Sequence, residues 1–178
     1  MLSKKMTAAF NGQVAAELYS SYLYISMSAW LQSEGFPGAA NWMGLQAREE
    51  VYHAQKLYNH ILERGGQVKL GAIEAPPFKW KTPLEVFEQA YAHEQKVTGL
   101  INNLMSMAKA ESDHASEIFL QWFVTEQVEE EATALDVVQK FKLAAGGAGF
   151  FMIDQELGAR VLSQIVKDAL TGTVASSN

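Results

Sequence analysis

The 178-residue chain contains no cysteine. That excludes disulfides, zinc ribbons, thiolate-held iron–sulfur clusters and thiol nucleophiles. Prolines number only four, three of them between residues 76 and 83, so most of the chain is free of the residue that breaks helices. Basic residues are outnumbered: 14 Lys and Arg against 20 Asp and Glu leave a formal charge of -6, and the isoelectric point is near 5.2. That balance argues against a nucleic-acid surface and favours cations. No segment approaches eighteen consecutive apolar residues, and the opening Met-Leu-Ser-Lys-Lys-Met lacks a secretory apolar region, so a cytoplasmic protein with no membrane partner is expected. Strand patterns are nearly absent. With 48% hydrophobic residues, the chain can bury the core of a single domain over 1–172, followed by a flexible tail at 173–178.

What remains is long helical periodicity. Turn signals fall at wide intervals: Gly35, Pro37 and Gly38; Gly65 and Gly66; Pro76, Pro77 and Pro83; Gly146, Gly147 and Gly149. Between them, apolar residues recur every three or four positions over about 4–33, 38–64, 83–110 and 114–142, for example Phe10, Val14, Leu18 and Ile25 in the first segment. Four helices of this length pack as a bundle. Short turns make antiparallel hairpins of the first pair and of the second. The connection from about Gly65 to Thr82, some 17 residues, differs. Extended, it reaches about 55 Å, whereas a 28-residue helix is about 42 Å long, so it can run the length of the bundle and set the second and third helices parallel. The expected fold is all-α: an antiparallel four-helix bundle with one long crossover, the topology of ferritin-like folds. After a glycine-rich hinge, a short fifth helix is expected over about 150–170, with Asp154 near its first turn and Leu157, Val161, Ile165 and Val166 on its apolar side.

Acidic residues interrupt the apolar stripes. The second helix reads Met43, Gln46, Glu50, His53, Leu57 and Ile61 on its inward face; the first holds Glu17, the third Glu94, and the fourth Gln127 and Glu130. Each helix thus places a carboxylate near the middle of its buried face. One unpaired buried carboxylate costs several kcal/mol, so four require compensation. A salt-bridge network would need Lys or Arg on the same faces, yet Arg48, Lys56 and Lys96 fall off the stripes by one to three positions. The acids must therefore be protonated and mutually hydrogen-bonded, or gathered around cations. Carboxylates with a single imidazole suit two hard or borderline ions, iron or manganese rather than zinc. Glu126 and Glu130, like charges one turn apart, are explained by a cation between them.

The chain resembles the non-haem bacterial ferritins over essentially its whole length. The resemblance rests on Glu17-Leu-Tyr-Ser-Ser, Glu49-Glu50 with His53, His93-Glu94-Gln95, and Phe119-Leu-Gln-Trp122 followed by Glu126-Gln127 and Glu129-Glu130-Glu131. It implies a ferroxidase and iron store that oxidises Fe(II) with dioxygen or hydrogen peroxide, in a cage of about 24 copies. On that resemblance Glu17, Glu50 and His53 hold one iron; Glu50, bridging, with Glu94 and Glu130 holds the second. Gln127 is then a hydrogen-bond donor behind the ligands, and Tyr24 a neighbouring electron source. A third iron position matches Glu49, Glu126, Glu129 and Glu130. Glu131 reads as solvated, His60 as a core residue, and His93 and His114 as surface. Haem is not expected, because haem-carrying relatives place methionine where Val51 stands. Rubrerythrins need the cysteines this chain lacks, and the small DNA-protecting cages build their iron site between subunits. Of the two acids that usually line animal ferritin channels, Glu117 matches one and Leu120 replaces the other. The alternative is a non-storage di-metal oxidase or catalase on the same bundle; a third is a helical scaffold that buffers metal.

Overall fold

Four long helices carry the fold in a computed structural model that describes residues 1–144 and 147–172: α1 Lys4–Ser33, α2 Pro37–Glu63, α3 Pro83–Ala110 and α4 His114–Ala144. Two short helices follow, α5 Ala148–Gly158 and α6 Gln164–Thr171, and no strand occurs among the described residues. The long boundaries are chemically marked. Ser3 Oγ accepts the Met6 amide at 3.0 Å and Thr82 Oγ1 accepts the Glu85 amide at 3.1 Å, each satisfying a free donor of a first turn. Pro37 and Pro83 open α2 and α3 where a missing amide costs nothing. At the other end of α2, Gly65 takes a φ of 72° while the Gly66 amide returns to the Ile61 carbonyl at 2.8 Å, closing the helix. α3 closes in the same way with Ser112 at φ 54° and the Asp113 amide on Ala108.

The crossover runs alongside α1. Asn11 Nδ2 donates to the Gln67 carbonyl, Ser26 Oγ donates to the Pro77 carbonyl, and Trp80 packs on Trp30 at 5.8 Å between ring centroids. From Asn11 to Trp30 the loop thus follows about 28 Å of helix, leaving α2 and α3 parallel.

Two apolar clusters fill the bundle. One, at the end holding the α1–α2 turn, joins Met27, Leu31, Met43, Phe87, Phe141 and Ile153; the other, toward the opposite end, joins Met6, Phe10, Leu57, Ile101, Leu120 and Phe123. Each fully buried large side chain contributes about 2–3 kcal/mol. Leu120, at a position matched to a channel acid, lies in the second of these cores.

Three sequence expectations change. Ile25 is exposed, because the buried face of α1 runs through Phe10, Glu17, Tyr24 and Leu31, and a one-residue offset turns a side chain by about 100°. The single fifth helix is two, separated at residues 159–163, with Ser163 capping the second through the Val166 amide. Leu157 and Val166 are buried as expected, but Val161 and Ile165 are exposed. Of the glycine-rich hinge, Gly147 precedes α5 with φ 61°; Gly146, like the tail at 173–178, lies outside the described residues.

α5 packs across the start of α2. Phe36 provides no side-chain cap there; Asp154 Oδ1 accepts the Ala39 amide at 2.8 Å instead, placing a carboxylate at a helix N-terminus. A Cβ on Gly38 would stand 1.7 Å from the Asp154 carbonyl oxygen, so only glycine admits this crossing.

Candidate metal centre

Between the two apolar clusters lies a polar layer. Glu17, Glu50, Glu94 and Glu130 are 1%, 2%, 2% and 7% exposed, one from each long helix, and His53 is buried with them. Apolar packing above and below excludes water from this waist. Glu17, Glu50 and His53 each bring one ligand atom within 4.8 Å of the others, and His53, Glu126 and Glu130 do the same. His53 Nδ1 lies 3.4 Å from Glu50 Oε2, while His53 Nε2 lies 3.9 Å from Glu126 Oε1. The imidazole therefore stands between the buried layer and the acids beyond it.

Amide donors position the carboxylates. Gln13 Nε2 donates to Glu17 Oε1 at 2.9 Å, Gln46 Nε2 to Glu130 Oε2 at 2.6 Å, and Gln127 Nε2 to Glu94 Oε2 at 3.1 Å. The Tyr24 hydroxyl donates to Glu94 Oε1. Two donors, Tyr24 and Gln127, thus hold the Glu94 carboxylate, one on each oxygen. Among the described residues, Gln46 Oε1 is buried without a donor, and Glu17 Oε2 finds none outside the Glu17–Glu50 pair, whose carboxyls hydrogen-bond to each other when one carries a proton.

Burial dominates the protonation of the layer. It pushes Glu17 up to about 7 and Glu130 up to about 8, and it raises Glu50 well above the usual carboxylate range, with Glu94 and Glu17 adding repulsion. Glu94 is raised by burial despite the donors Tyr24 and Gln127. Burial lowers His53 to about 3, so its imidazole is neutral with ring nitrogens available as ligands. The metal-free layer stores protons, and a cation would take their place.

Glu49, Glu126, Glu129 and Glu130 line a cavity of about 340 Å³ outside the layer, between α2 and α4. Trp122 and Tyr52 form one wall of it, their rings 6.0 Å apart, and Trp122 packs on His53 at 5.4 Å.

A ferritin-like domain model matches residues 7–144. The chain is 49% identical over 160 residues to a bacterial non-heme ferritin of Bacteroides fragilis, covering 90% of this chain and all of that protein. The chain belongs to the ferritin family. It is 38% identical over 158 residues to a bacterial non-heme ferritin of Escherichia coli, covering 88% of this chain and 96% of that one. An engineered closed form of Archaeoglobus fulgidus ferritin superposes with a TM-score of 0.90 at 48% identity, covering 92% of this chain and all of that chain. The open-pore ferritin of the same archaeon gives 0.89 at 48% identity, covering 90% and 100%.

Within this ferritin fold, Gln13 and Arg160 were not singled out by sequence, and Gln46, read there on the inward face, was not assigned a role. Gln13 and Gln46 sit one turn before Glu17 and Glu50 on the same faces, a spacing that would have flagged them as donors. Arg160, which pairs with Glu49 at 2.6 Å, carries no such signal, being 111 positions away. His93 is half-buried rather than at the surface: its Nε2 meets Ser20 Oγ at 2.8 Å and its ring packs edge-on to Tyr24. His114 is exposed, and His60 is a core residue stacked on Phe119 at 3.9 Å. Glu131 accepts from Thr98 Oγ1, so it is partly sheltered rather than solvated.

Proposed function

We propose that the protein oxidises Fe(II) to Fe(III) at paired positions within each bundle and stores the product as ferric oxyhydroxide in a cage of 24 copies. Family membership supports an iron-oxidising and iron-storing role. The observation that carries the reading is the waist itself: four buried carboxylates and a neutral imidazole, with no Lys or Arg hydrogen-bonded to any of them among the described residues. Glu17, Glu50 and His53 hold one Fe(II), and Glu50, Glu94 and Glu130 the other.

Charge explains the direction of the chemistry. Two Fe(II) ions bring four positive charges, which four ionised carboxylates balance once their protons leave. Each ion gives up one electron; dioxygen takes the pair with two protons to yield hydrogen peroxide, or peroxide takes it with two protons to yield water. The ferric pair then exceeds its ligands by two charges in a dry layer. Hydrolysis, or movement toward the acids of the adjoining cavity, relieves that excess. Glu49, Glu126, Glu129 and Glu130 form a third position on this route. Tyr24 supplies a further electron on this reading, which its hydrogen bond to Glu94 supports.

Assembly into a shell is supported by an open apolar groove lined by Leu18, Val51, Tyr58, Leu70 and Leu170, much of it exposed on the single chain. Among the described residues no helix is long and apolar enough to cross a membrane.

Glu17→Ala and His53→Ala test the centre. Each removes one ligand, and His53→Ala also removes ring packing on Trp122 and Phe123, so rapid Fe(II) oxidation should be lost in both while Glu17→Ala, the milder change, still forms the shell. Oxygen-consumption traces at wild-type rates in either variant, from metal-free preparations, would refute the assignment. Size-exclusion chromatography tests storage: a shell of several hundred kDa supports it, and a dimer supports the non-storage oxidase.

A further inference from the structure

One wall of the acidic cavity is built by the chain's own C-terminal segment. Among the described residues Arg160, in the link between α5 and α6, is the only basic side chain lining a cavity that also presents Glu49, Glu126, Glu129 and Glu130. Its Nη2 donates to Glu49 Oε2 at 2.6 Å, and its guanidinium carbon lies 4.7 Å from the centre of the Trp42 ring. The Arg160 carbonyl accepts from Asn41 Nδ2 at 3.2 Å, while Leu162 and Val166 pack on Leu45 and Tyr52. The segment is thus anchored to α2 at the arginine and just after it. Nη1 is buried and, among the described residues, has no acceptor.

We propose that Arg160 is the resident cation of the third iron position: its guanidinium holds Glu49 until a metal ion displaces it, so that it sets the affinity of that position. This rests on the reading that Glu49, Glu126, Glu129 and Glu130 receive a third ion.

Three physical points favour displacement over coexistence. A guanidinium does not give up its proton in a protein, so an arriving ion must evict it rather than discharge it. A metal ion on the Glu49 oxygen that Arg160 already occupies would place two cations on one carboxylate oxygen, at a separation where they repel. And with Nη1 unpaired, Arg160 meets only part of its hydrogen-bonding capacity, so the acidic cavity holds it by charge more than by geometry. The guanidinium already rests against the Trp42 face while it holds Glu49, so this cation–π contact can retain the side chain when Glu49 is released to the metal.

The test uses assembled, metal-free protein titrated with Zn(II), and with Fe(II) under anaerobic conditions, by calorimetry. Arg160→Ala should bind the third ion about tenfold more tightly than wild type, about 1.4 kcal/mol, with a smaller change for the second ion, whose ligand Glu130 feels the same guanidinium, and none for the first. Arg160→Lys keeps a charge but loses the planar fork; it should bind the third ion about threefold more tightly, and it serves if Arg160→Ala does not assemble. Hydrogen exchange supplies a readout independent of affinity: the third equivalent should loosen amides of residues 159–163 in wild type, but not in Glu49→Gln. If Glu49→Gln loses the third ion while neither Arg160 variant alters its affinity, the role of Arg160 is overturned and the third position stands. If no third ion binds to wild type or either Arg160 variant, or if Glu49→Gln retains it, the third position fails and this inference with it.

Discussion

Metal loading should expel protons, and the number can be worked out from the layer. At pH 6.5, with Glu17 raised to about 7 and Glu130 to about 8, about three quarters of the first and nearly all of the second are protonated. Burial and mutual repulsion also raise Glu50 well above the usual carboxylate range, and burial raises Glu94. His53, lowered to about 3, contributes none. Two divalent ions need these carboxylates ionised, so filling the pair releases about two protons from Glu17 and Glu130 together, with Glu50 and Glu94 adding to that. The overall binding constant of the pair should therefore rise at least about fiftyfold per pH unit near pH 6.5, the part due to Glu17 and Glu130 flattening above pH 8 as their protons are lost beforehand. Zn(II) is a suitable probe because it carries no redox chemistry. Calorimetric titrations in two buffers of different ionisation enthalpy report the proton count directly. Heats independent of the buffer at pH 6.5 would mean that the acids are already ionised without metal, and the compensation argument would fail.

The same protons set the stability of the metal-free fold. The folded Glu17 and Glu130 retain protons that the unfolded chain has lost above about 4.5, so their contribution is present at low pH and disappears as pH rises through 7 and 8. Denaturant titrations should show a loss of about 2 kcal/mol between pH 6.5 and 8 without metal, and little change with it. Gly38→Ala should cost about 2–4 kcal/mol by pushing α5 off Ala39, read as a lower Tm and faster amide exchange in residues 148–158. Ser112→Gly should stabilise by about 0.5–1 kcal/mol, because Ser112 sits at φ 54°, where glycine carries no Cβ penalty; an unchanged Tm would contradict this. Tyr24→Phe should still bind two Zn(II) but lose any phenoxyl signal in rapid-freeze electron paramagnetic resonance after oxygenation. A signal that survived would belong to another aromatic residue.

The bundle was legible because its signals are local. Ser3, Pro37, Gly65, Thr82 and Pro83 mark the ends of helices through contacts within a few residues. The buried acids were legible as interruptions of an apolar period: Glu50 and His53 between Met43 and Leu57, Glu94 between Tyr91 and Val97. What sequence obscured depends on phase or on distance along the chain. Ile25 is one residue off the buried centre line of α1, and Val161 follows α5 where the single expected helix is broken. Asp154 on the start of α2 and Arg160 on Glu49 join residues more than a hundred positions apart, which no periodicity records. The sharing of Glu50, Glu94 and Glu130 around a second ion rests on family resemblance. In the metal-free geometry Glu94 is instead drawn toward Tyr24 and Gln127.

The most direct measurement is an anomalous-scattering map, recorded at the iron edge, from crystals soaked anaerobically in Fe(II). Two strong peaks per subunit should lie in the waist, one among Glu17, Glu50 and His53 and one among Glu50, Glu94 and Glu130, with a weaker third among Glu49, Glu126, Glu129 and Glu130. Peaks confined to exposed acids, with the waist empty at full loading, would contradict the assignment of the buried carboxylates to iron.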